Sequence, residues 1–236
     1  KAIKKLKSKL NPIGIRREKV LYNDEIIIDD FASATAIRKM IATGQFSDIQ
    51  KVMPKSSYAL LADELRKGHY VLDLSKFQKE IIYNLRKMSV EEIAQLVDVS
   101  EGLENAIKNA ANSSNNLVDF VNIVKSKRYT QTRIQRILIY ALLGITNSKM
   151  LAFKKAVPYA RVLGFNENGK QLISQIAKKN KKVQIVTSVK KYMDESKNKV
   201  LKEMLETDIL ATNVYTLGYE KDSWSNLDYT NKLVTM

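Results

Sequence analysis

The stretch Phe31-Ala-Ser-Ala-Thr-Ala-Ile-Arg38 decides how the first part of the chain folds. It follows the apolar run Ile26–Ile28 and opens a segment typical of a helix from Ala34 to Thr43, which Gly44 ends. A strand, a turn with Ser and Thr, and a helix with an early Arg form a good anion site, because N–H groups, dipole and hydroxyls face the ligand. The same residues also serve plain N-capping, and the sequence leaves both interpretations open.

The residues before this stretch indicate the end of a sheet. Residues 1–11 have the spacing of an amphipathic helix, which Pro12 ends. The short apolar segments Ile13–Arg17 and Ile26–Ile28 cannot form a sheet alone, so we expect its other strands to lie upstream of Lys1. We therefore expect the chain to be cut from a longer protein.

The middle of the chain predicts an all-α domain. From Phe46 to Gly144 the apolar spacing is helical almost throughout. In one of these helices we expect Leu60, Leu61 and Leu65 to face inward. The predicted helices cover 48–53, 56–67 and 74–87, the residues after the capping box Ser89-Val-Glu-Glu92, the residues after Gly102, 117–124 and 132–143.

After Pro158 the pattern is typical of a small α/β region. The predicted elements are a strand over 159–165, a turn over 166–169, a helix over 170–179, a strand over 183–187 and a helix over 196–210. Residues 213–219 fit either a strand or a continuation of that helix, and the stretch from Glu220 is expected to be irregular.

The composition excludes several kinds of site. The 236 residues include no cysteine, so disulfides, thiolate zinc sites and cysteine nucleophiles are excluded. Since His69 is the only histidine, a site with two histidine ligands is excluded and a histidine-dependent active site is disfavoured. No apolar run approaches the roughly 20 residues that a membrane helix needs. We expect a cytoplasmic protein with no metal bound by its own side chains.

The charge points to a polyanionic partner. The net charge is +15, and no acid occurs between Phe120 and Asn166, whereas a solvated face normally mixes signs. A generally lysine-rich proteome is the other explanation. Tyr129 can stack on a base or pack on the helix. The bases of this acid-free stretch are Lys125, Lys127, Arg128, Arg133, Arg136, Lys149, Lys154, Lys155 and Arg161.

Five segments, taken in order, give the chain a family resemblance. They are Phe31–Arg38, Ser100–Asn105, Lys125–Arg136, Arg161–Asn166 and Asp208–Tyr215. Together they resemble the tRNA(Met) cytidine acetate ligases, over nearly the whole chain.

The resemblance implies a two-part ligase. In such a ligase, a Rossmann-like nucleotidyltransferase domain with an HxGH motif would form acetyl-adenylate from ATP and acetate, with Mg²⁺ as the expected counter-ion of ATP. The acetyl group then passes to N4 of the wobble cytidine of elongator tRNA(Met), which the helical and C-terminal parts help to hold. The chain would comprise the end of the Rossmann-like domain (1–50), a helical domain (51–150) and a small α/β region (151–236), mainly α overall.

The resemblance also implies site residues. Arg17, with Glu18 where relatives often have Ile, matches a nucleotide-contacting position, and Ser33, Thr35 and Arg38 match a phosphate motif. The expected tRNA-binding residues are Lys125, Lys127, Arg128, Tyr129, Arg133 and Arg136.

The chain departs from the family in lacking the HxGH motif, because His69 follows the Phe31–Arg38 segment. We therefore expect no catalytic residue in this fragment, and no adenylation by it alone. Two alternatives stay open: a non-catalytic helical RNA-binding module, and a nucleotidyltransferase acting on a small metabolite.

Overall fold

The computed structural model describes residues 2–15, 27, 31–179 and 182–235. In this part of the chain the structure is mainly helical, as predicted, with short strands near the C-terminus. The chain divides into two compact units, Lys1–Arg66 and Lys67–Met236. The three regions expected from the sequence, with limits at residues 50 and 150, stay a prediction.

The first unit contains short helices. They are α1 (Ala2–Lys5), α2 (Ala34–Ala42), α3 (Phe46–Lys51) and α4 (Lys55–Lys67). The helix predicted over residues 1–11 is too long, because α1 ends at Lys5 and Lys7 has a positive φ of 46°. Leu6 and Leu10 are exposed, so no apolar packing offsets the cost of a longer helix.

The first unit confirms the helix predicted from Ala34 to Thr43, because α2 spans Ala34–Ala42 and packs into a small core. Ala36, Met40 and Ile49 are buried together. Leu61 packs against this core as predicted, but Leu60 is 71% exposed, so its predicted inward orientation is wrong. The predicted strand residues are not tested, since only Ile27 of the run 26–28 is among the described residues.

The second unit begins with the predicted helical region. A 3-10 helix spans Leu74–Phe77 and is followed by α5 (Gln78–Lys87), α6 (Val90–Ala94), α7 (Leu103–Ser113), α8 (Leu117–Val124), α9 (Gln131–Leu143) and α10 (Asn147–Lys155). Its core is apolar and continuous: Ile81, Leu85, Ile107, Phe120 and Ile137 are all at most 1% exposed. The helical spacing of apolar residues predicted the helices that form this core.

Local end signals fix where these helices start and stop. The predicted capping box is present, since Ser89 and Glu92 each bind the main-chain N–H of the other, at 3.2 and 2.7 Å. Gly102, before α7, and Gly144, after α9, have φ values of 81° and 62°, which glycine adopts without strain. These signals act over a few residues, so the sequence shows them.

The C-terminal part of this unit has two separate pairs of parallel strands. Its elements are β1 (Ala160–Arg161), β2 (Gly164–Phe165), α11 (Glu167–Lys179), β3 (Ile185–Val186), α12 (Val189–Glu195), α13 (Lys199–Thr216), α14 (Leu227–Thr230) and β4 (Val234–Thr235). β1 pairs with β3, and β2 pairs with β4. A Cβ on Gly164 would lie 2.7 Å from the oxygen of Val234, so this close pairing requires glycine.

Several predictions for this part are wrong. The strand expected over 159–165 is two strands in different sheets, and the turn expected over 166–169 is the start of α11. The Asn166 side chain accepts from the N–H of Gly169 at 2.9 Å, which starts a helix where Asn and Gly suggested a turn. Helix α13 continues to Thr216, and α14 and β4 occur after Glu220.

None of the helices described has both the length and the hydropathy that a bilayer span requires.

Candidate functional site

The start of α2 carries three of the predicted ATP-binding residues. Ser33 is 2% exposed, and its Oγ accepts a hydrogen bond from the N–H of Ala36 at 3.0 Å. Ser33 is therefore the N-cap of α2, as the simpler of the two interpretations predicts. Arg17 and Glu18 lie outside the described residues.

Thr35 and Arg38 lie within the first two turns of α2. They are three residues apart on α2, so they lie on the same face, with Thr35 half-buried and Arg38 exposed. The first turn of α2 contains no acidic residue. A phosphate group is thus compatible with this end of the helix, where the dipole and the guanidinium both favour negative charge.

The second candidate surface is the loop between α8 and α9. Ser126 and Tyr129 close this loop with two main-chain hydrogen bonds, each of 3.2 Å. The side chains of Lys125 and Lys127 are exposed. These two lysines are available to a phosphate in solution.

Two arginines of α9 bind the loop that precedes α7. Arg133 donates from Nε and Nη2 to the main-chain oxygen of Asp98, at 3.0 and 2.6 Å. It also donates to Ser100 Oγ at 3.0 Å. Arg136 donates from Nε and Nη2 to the carboxylate of Asp98, at 3.1 and 3.0 Å. Both arginines therefore have structural partners.

Arg128 and Tyr129 bind the same loop. Arg128 forms an ion pair with Glu101, and this hydrogen bond raises the pKa of the arginine. The guanidinium carbons of Arg133 and Arg128 lie 5.1 and 5.6 Å from the centre of the Tyr129 ring. The Tyr129 hydroxyl donates to the oxygen of Ser100 at 3.3 Å. Tyr129 also packs against the apolar core of the helical region, and whether it stacks on a base stays a prediction.

The sequence from Phe120 to Asn166 contains no acidic residue, but in the folded structure two acidic residues from outside this stretch contact its arginines. Asp98 and Glu101 precede the stretch, yet they face its arginines. Sequence reasoning missed both acids, although the resemblance includes the segment Ser100–Asn105 that contains Glu101. The structure brings Arg128, Tyr129, Arg133 and Arg136 together and leaves the two lysines exposed.

No group of three or more His, Cys, Asp or Glu residues that could hold a metal ion occurs among the described residues.

Known proteins resemble the whole chain. The model of the HIGH Nucleotidyl Transferase family matches residues 1–229. The tRNA(Met) cytidine acetate ligase of Thermoanaerobacter pseudethanolicus is 37% identical over 236 residues, which are 100% of this chain and 57% of that protein. The ligase of the same name from Acetivibrio thermocellus is 37% identical over 244 residues, covering 100% and 58%. The chain thus spans less than two thirds of these relatives.

Two solved structures share the fold. The apo crystal structure of Thermotoga maritima TmcAL superposes with a TM-score of 0.91 at 24% identity and covers 100% of this chain and 58% of that one. The structure of the same protein bound with alpha-thio ATP gives 0.87 at 23% identity and covers 100% and 57%. In both, the likeness extends over all of this chain.

Proposed function

Because the chain belongs to the HIGH nucleotidyl transferase family, we propose that it is the part of a tRNA-modifying ligase that completes the ATP site and holds the tRNA. The complete cytoplasmic enzyme uses ATP, Mg²⁺ and acetate to acetylate N4 of the wobble cytidine of elongator tRNA(Met). The observation that carries this proposal is the 37% identity, along the entire chain, to a tRNA(Met) cytidine acetate ligase.

The proposed chemistry has two steps. The acetate carboxylate attacks the α-phosphorus of ATP and pyrophosphate leaves; the cytidine amine then attacks the acetyl carbonyl, AMP leaves and the amine loses a proton. Negative charge develops on the α-phosphate in the first step, so positioned donors stabilise its transition state. Thr35, Arg38 and Arg17 supply such donors in this chain, and Glu18 follows Arg17 at the position proposed to contact the nucleotide.

The three proposed phosphate-binding residues at the start of α2 differ in how accessible they are to a phosphate. Arg38 is exposed and Thr35 half-buried, so both side chains can approach a phosphate. Ser33 is buried and caps the helix, so it acts first by fixing the position of the α2 N-terminus. The histidine-containing half of the site would come from residues outside this chain.

The tRNA contacts divide into two groups. Lys125, Lys127 and Arg128 are exposed and provide phosphate contacts. Arg133 and Arg136 bind Asp98 and hold the loop that faces the RNA, and Arg133 also lies over the Tyr129 ring. This surface binds the backbone of tRNA and positions the anticodon arm.

Two separate experiments test the proposal: one measures tRNA binding by this chain, and the other measures acetyl-adenylate formation by a longer protein. Filter binding of elongator tRNA(Met) across a salt series is expected to show an affinity that falls steeply with salt, because each phosphate contact releases counterions. A longer protein with the upstream half is expected to form acetyl-adenylate. Failure of tRNA to bind at low salt overturns the proposal.

A purely RNA-binding module is the second candidate, because Ser33 serves as a helix cap. Salt-dependent tRNA binding together with absence of ATP binding by the longer protein would favour this module.

A further inference from the structure

A cavity in the C-terminal part of the second unit lies away from the basic loop and from the start of α2 in sequence. Its volume is about 530 Å³, within the range of small-ligand pockets. It is lined by residues that directly follow β1 and β3, among them Thr187, and by residues of α14 and the segment before β4. Since β1 and β3 are parallel, their carboxyl ends meet at one edge, the usual place for a ligand in such sheets.

A buried ion pair forms one wall of the cavity. Arg161 binds Oδ1 of Asp228, and the two side chains are 25% and 9% exposed. The other oxygen of Asp228, Oδ2, is buried and has no hydrogen-bond partner. A buried acceptor without a partner is costly, so a donor on a bound water or ligand would stabilise it.

The chemistry of this wall restricts the ligand. An anionic group would be repelled by Asp228, whereas a neutral N–H group would complete its hydrogen bonding. Val186 and Val189 are buried and line the same cavity, and the Tyr229 ring is 39% exposed beside them. Apolar walls and an aromatic ring suit the flat face of a ring system.

The rim of the cavity, in contrast to the wall at Asp228, favours an anionic group. Lys232 lines it with an exposed ammonium, and Thr187 adds an exposed hydroxyl. These groups suit a phosphate. A ligand with an N–H edge, a flat ring and a phosphate is a nucleotide.

We infer that the cavity between β1, β3 and α14 binds one nucleotide, with a base N–H donating to Asp228 and a phosphate facing Lys232. The pocket itself does not depend on the proposed function, which would make a nucleotide of tRNA its occupant. The same chemistry is offered by a free nucleotide.

Fluorescence anisotropy with labelled single-stranded RNA tetranucleotides, one for each base, tests the inference on the complete chain. Asp228→Asn is expected to lower the affinity about tenfold or more, because it weakens a charged hydrogen bond. The matched control, Asp194→Asn, makes the same charge change on α12 outside the cavity and should have no effect. Competition by AMP, CMP, GMP and UMP separates the sources: full competition at equal affinity indicates a free nucleotide, and weak competition indicates RNA.

Asp228→Asn can also disturb the ion pair, so an exposed residue provides the second variant. Lys232→Ala is expected to lower tetranucleotide affinity about fivefold, and Lys197→Ala, an exposed lysine outside the cavity, should not. Tetranucleotide affinities that are unchanged in Lys232→Ala and in a folded Asp228→Asn protein overturn the inference.

The outcomes also separate this inference from the proposed function. Salt-dependent tRNA binding without any tetranucleotide binding removes the pocket and leaves the proposed function intact. Tetranucleotide binding that depends on Lys232, without tRNA binding, retains the pocket and removes the tRNA role. Lys127→Ala is expected to weaken tRNA alone, since Lys127 does not line the cavity.

Discussion

Arg133 donates two hydrogen bonds to a single acceptor, the main-chain oxygen of Asp98, at 3.0 and 2.6 Å. Asp98 has a φ of 68°, in the left-handed region that few residues other than glycine, asparagine and aspartate adopt. Glu101, three residues later, also has a positive φ, of 48°. Arg133 therefore stabilises a loop with an unusual backbone conformation. Its guanidinium binds the protein, so less of it is available to bind RNA.

Arg133→Ala is expected to lower the free energy of unfolding by about 1–3 kcal/mol, since the Asp98 oxygen loses its charged donors. Urea denaturation measures the change. Arg128→Ala is the control, because its ion pair with Glu101 is exposed, and it should leave stability nearly unchanged. Equal losses in the two variants would contradict the structural role of Arg133.

The exposed lysines give the opposite pattern. Replacing Lys125 and Lys127 together by Ala is expected to leave stability unchanged and to reduce the slope of log affinity for tRNA against log salt by roughly 1.5, about 0.7–0.9 for each phosphate contact. Filter binding over a salt series measures it. The matched control replaces Lys178 and Lys179 of α11 by Ala, because these two lysines are also exposed and near each other in sequence. An identical slope change in both double variants would show that only total charge matters.

A second pair of basic residues joins α5 to α7. Lys108 donates to the main-chain oxygens of Arg86 and Met88, each at 2.6 Å, and to that of Leu85 at 3.3 Å. Arg86 in turn donates to the oxygen of Ala111 at 2.7 Å. Each side chain satisfies carbonyls at the C-terminal end of the other's helix.

Lys108→Met keeps the aliphatic stem but leaves these carbonyls without their donor, so it should lower the free energy of unfolding by about 1–3 kcal/mol. Urea unfolding monitored by circular dichroism measures the loss. Lys87→Met removes an exposed lysine of α5 and is expected to have little effect. A comparable loss in both would mean that charge, not capping, is responsible.

The features that the sequence predicts well are those determined within a few residues. The Ser89 capping box, the Ser33 cap and the helices α5 and α9 all follow from spacings of three or four residues. Leu60 is an exception, because three nearby leucines cannot all face one small core.

The features that the sequence misses join distant positions. Arg136 and Asp98 are 38 residues apart, and Arg161 and Asp228 are 67 apart. No periodicity links such residues, so an acid-free stretch in the sequence was expected to be an acid-free surface. Only the fold brings the acids to the arginines.

Tyr159 gives a prediction about pH. Burial raises the pKa of Tyr159 above its ordinary value of 10, and the hydrogen bond that its hydroxyl donates to Asp208 acts in the same direction. The folded state thus favours the protonated phenol, so this contribution to stability is complete below about pH 10 and declines as the pH rises above it. The stability advantage over Tyr159→Phe, from urea denaturation, should therefore shrink between about pH 9 and pH 11. Tyr83→Phe, at a 64% exposed position, is the control and should show no such trend.

Arg38 tests the ATP site. In a longer protein that includes the upstream half, Arg38→Ala is expected to lower acetyl-adenylate formation by more than about tenfold, because a donor that meets charge on the α-phosphate is lost. Release of pyrophosphate in the presence of ATP and acetate measures it. Lys39→Ala, the neighbouring exposed position on α2, removes the same charge and should leave turnover unchanged. Turnover that is unaffected by Arg38→Ala, or equally reduced in both variants, would leave α2 with no specific phosphate contact.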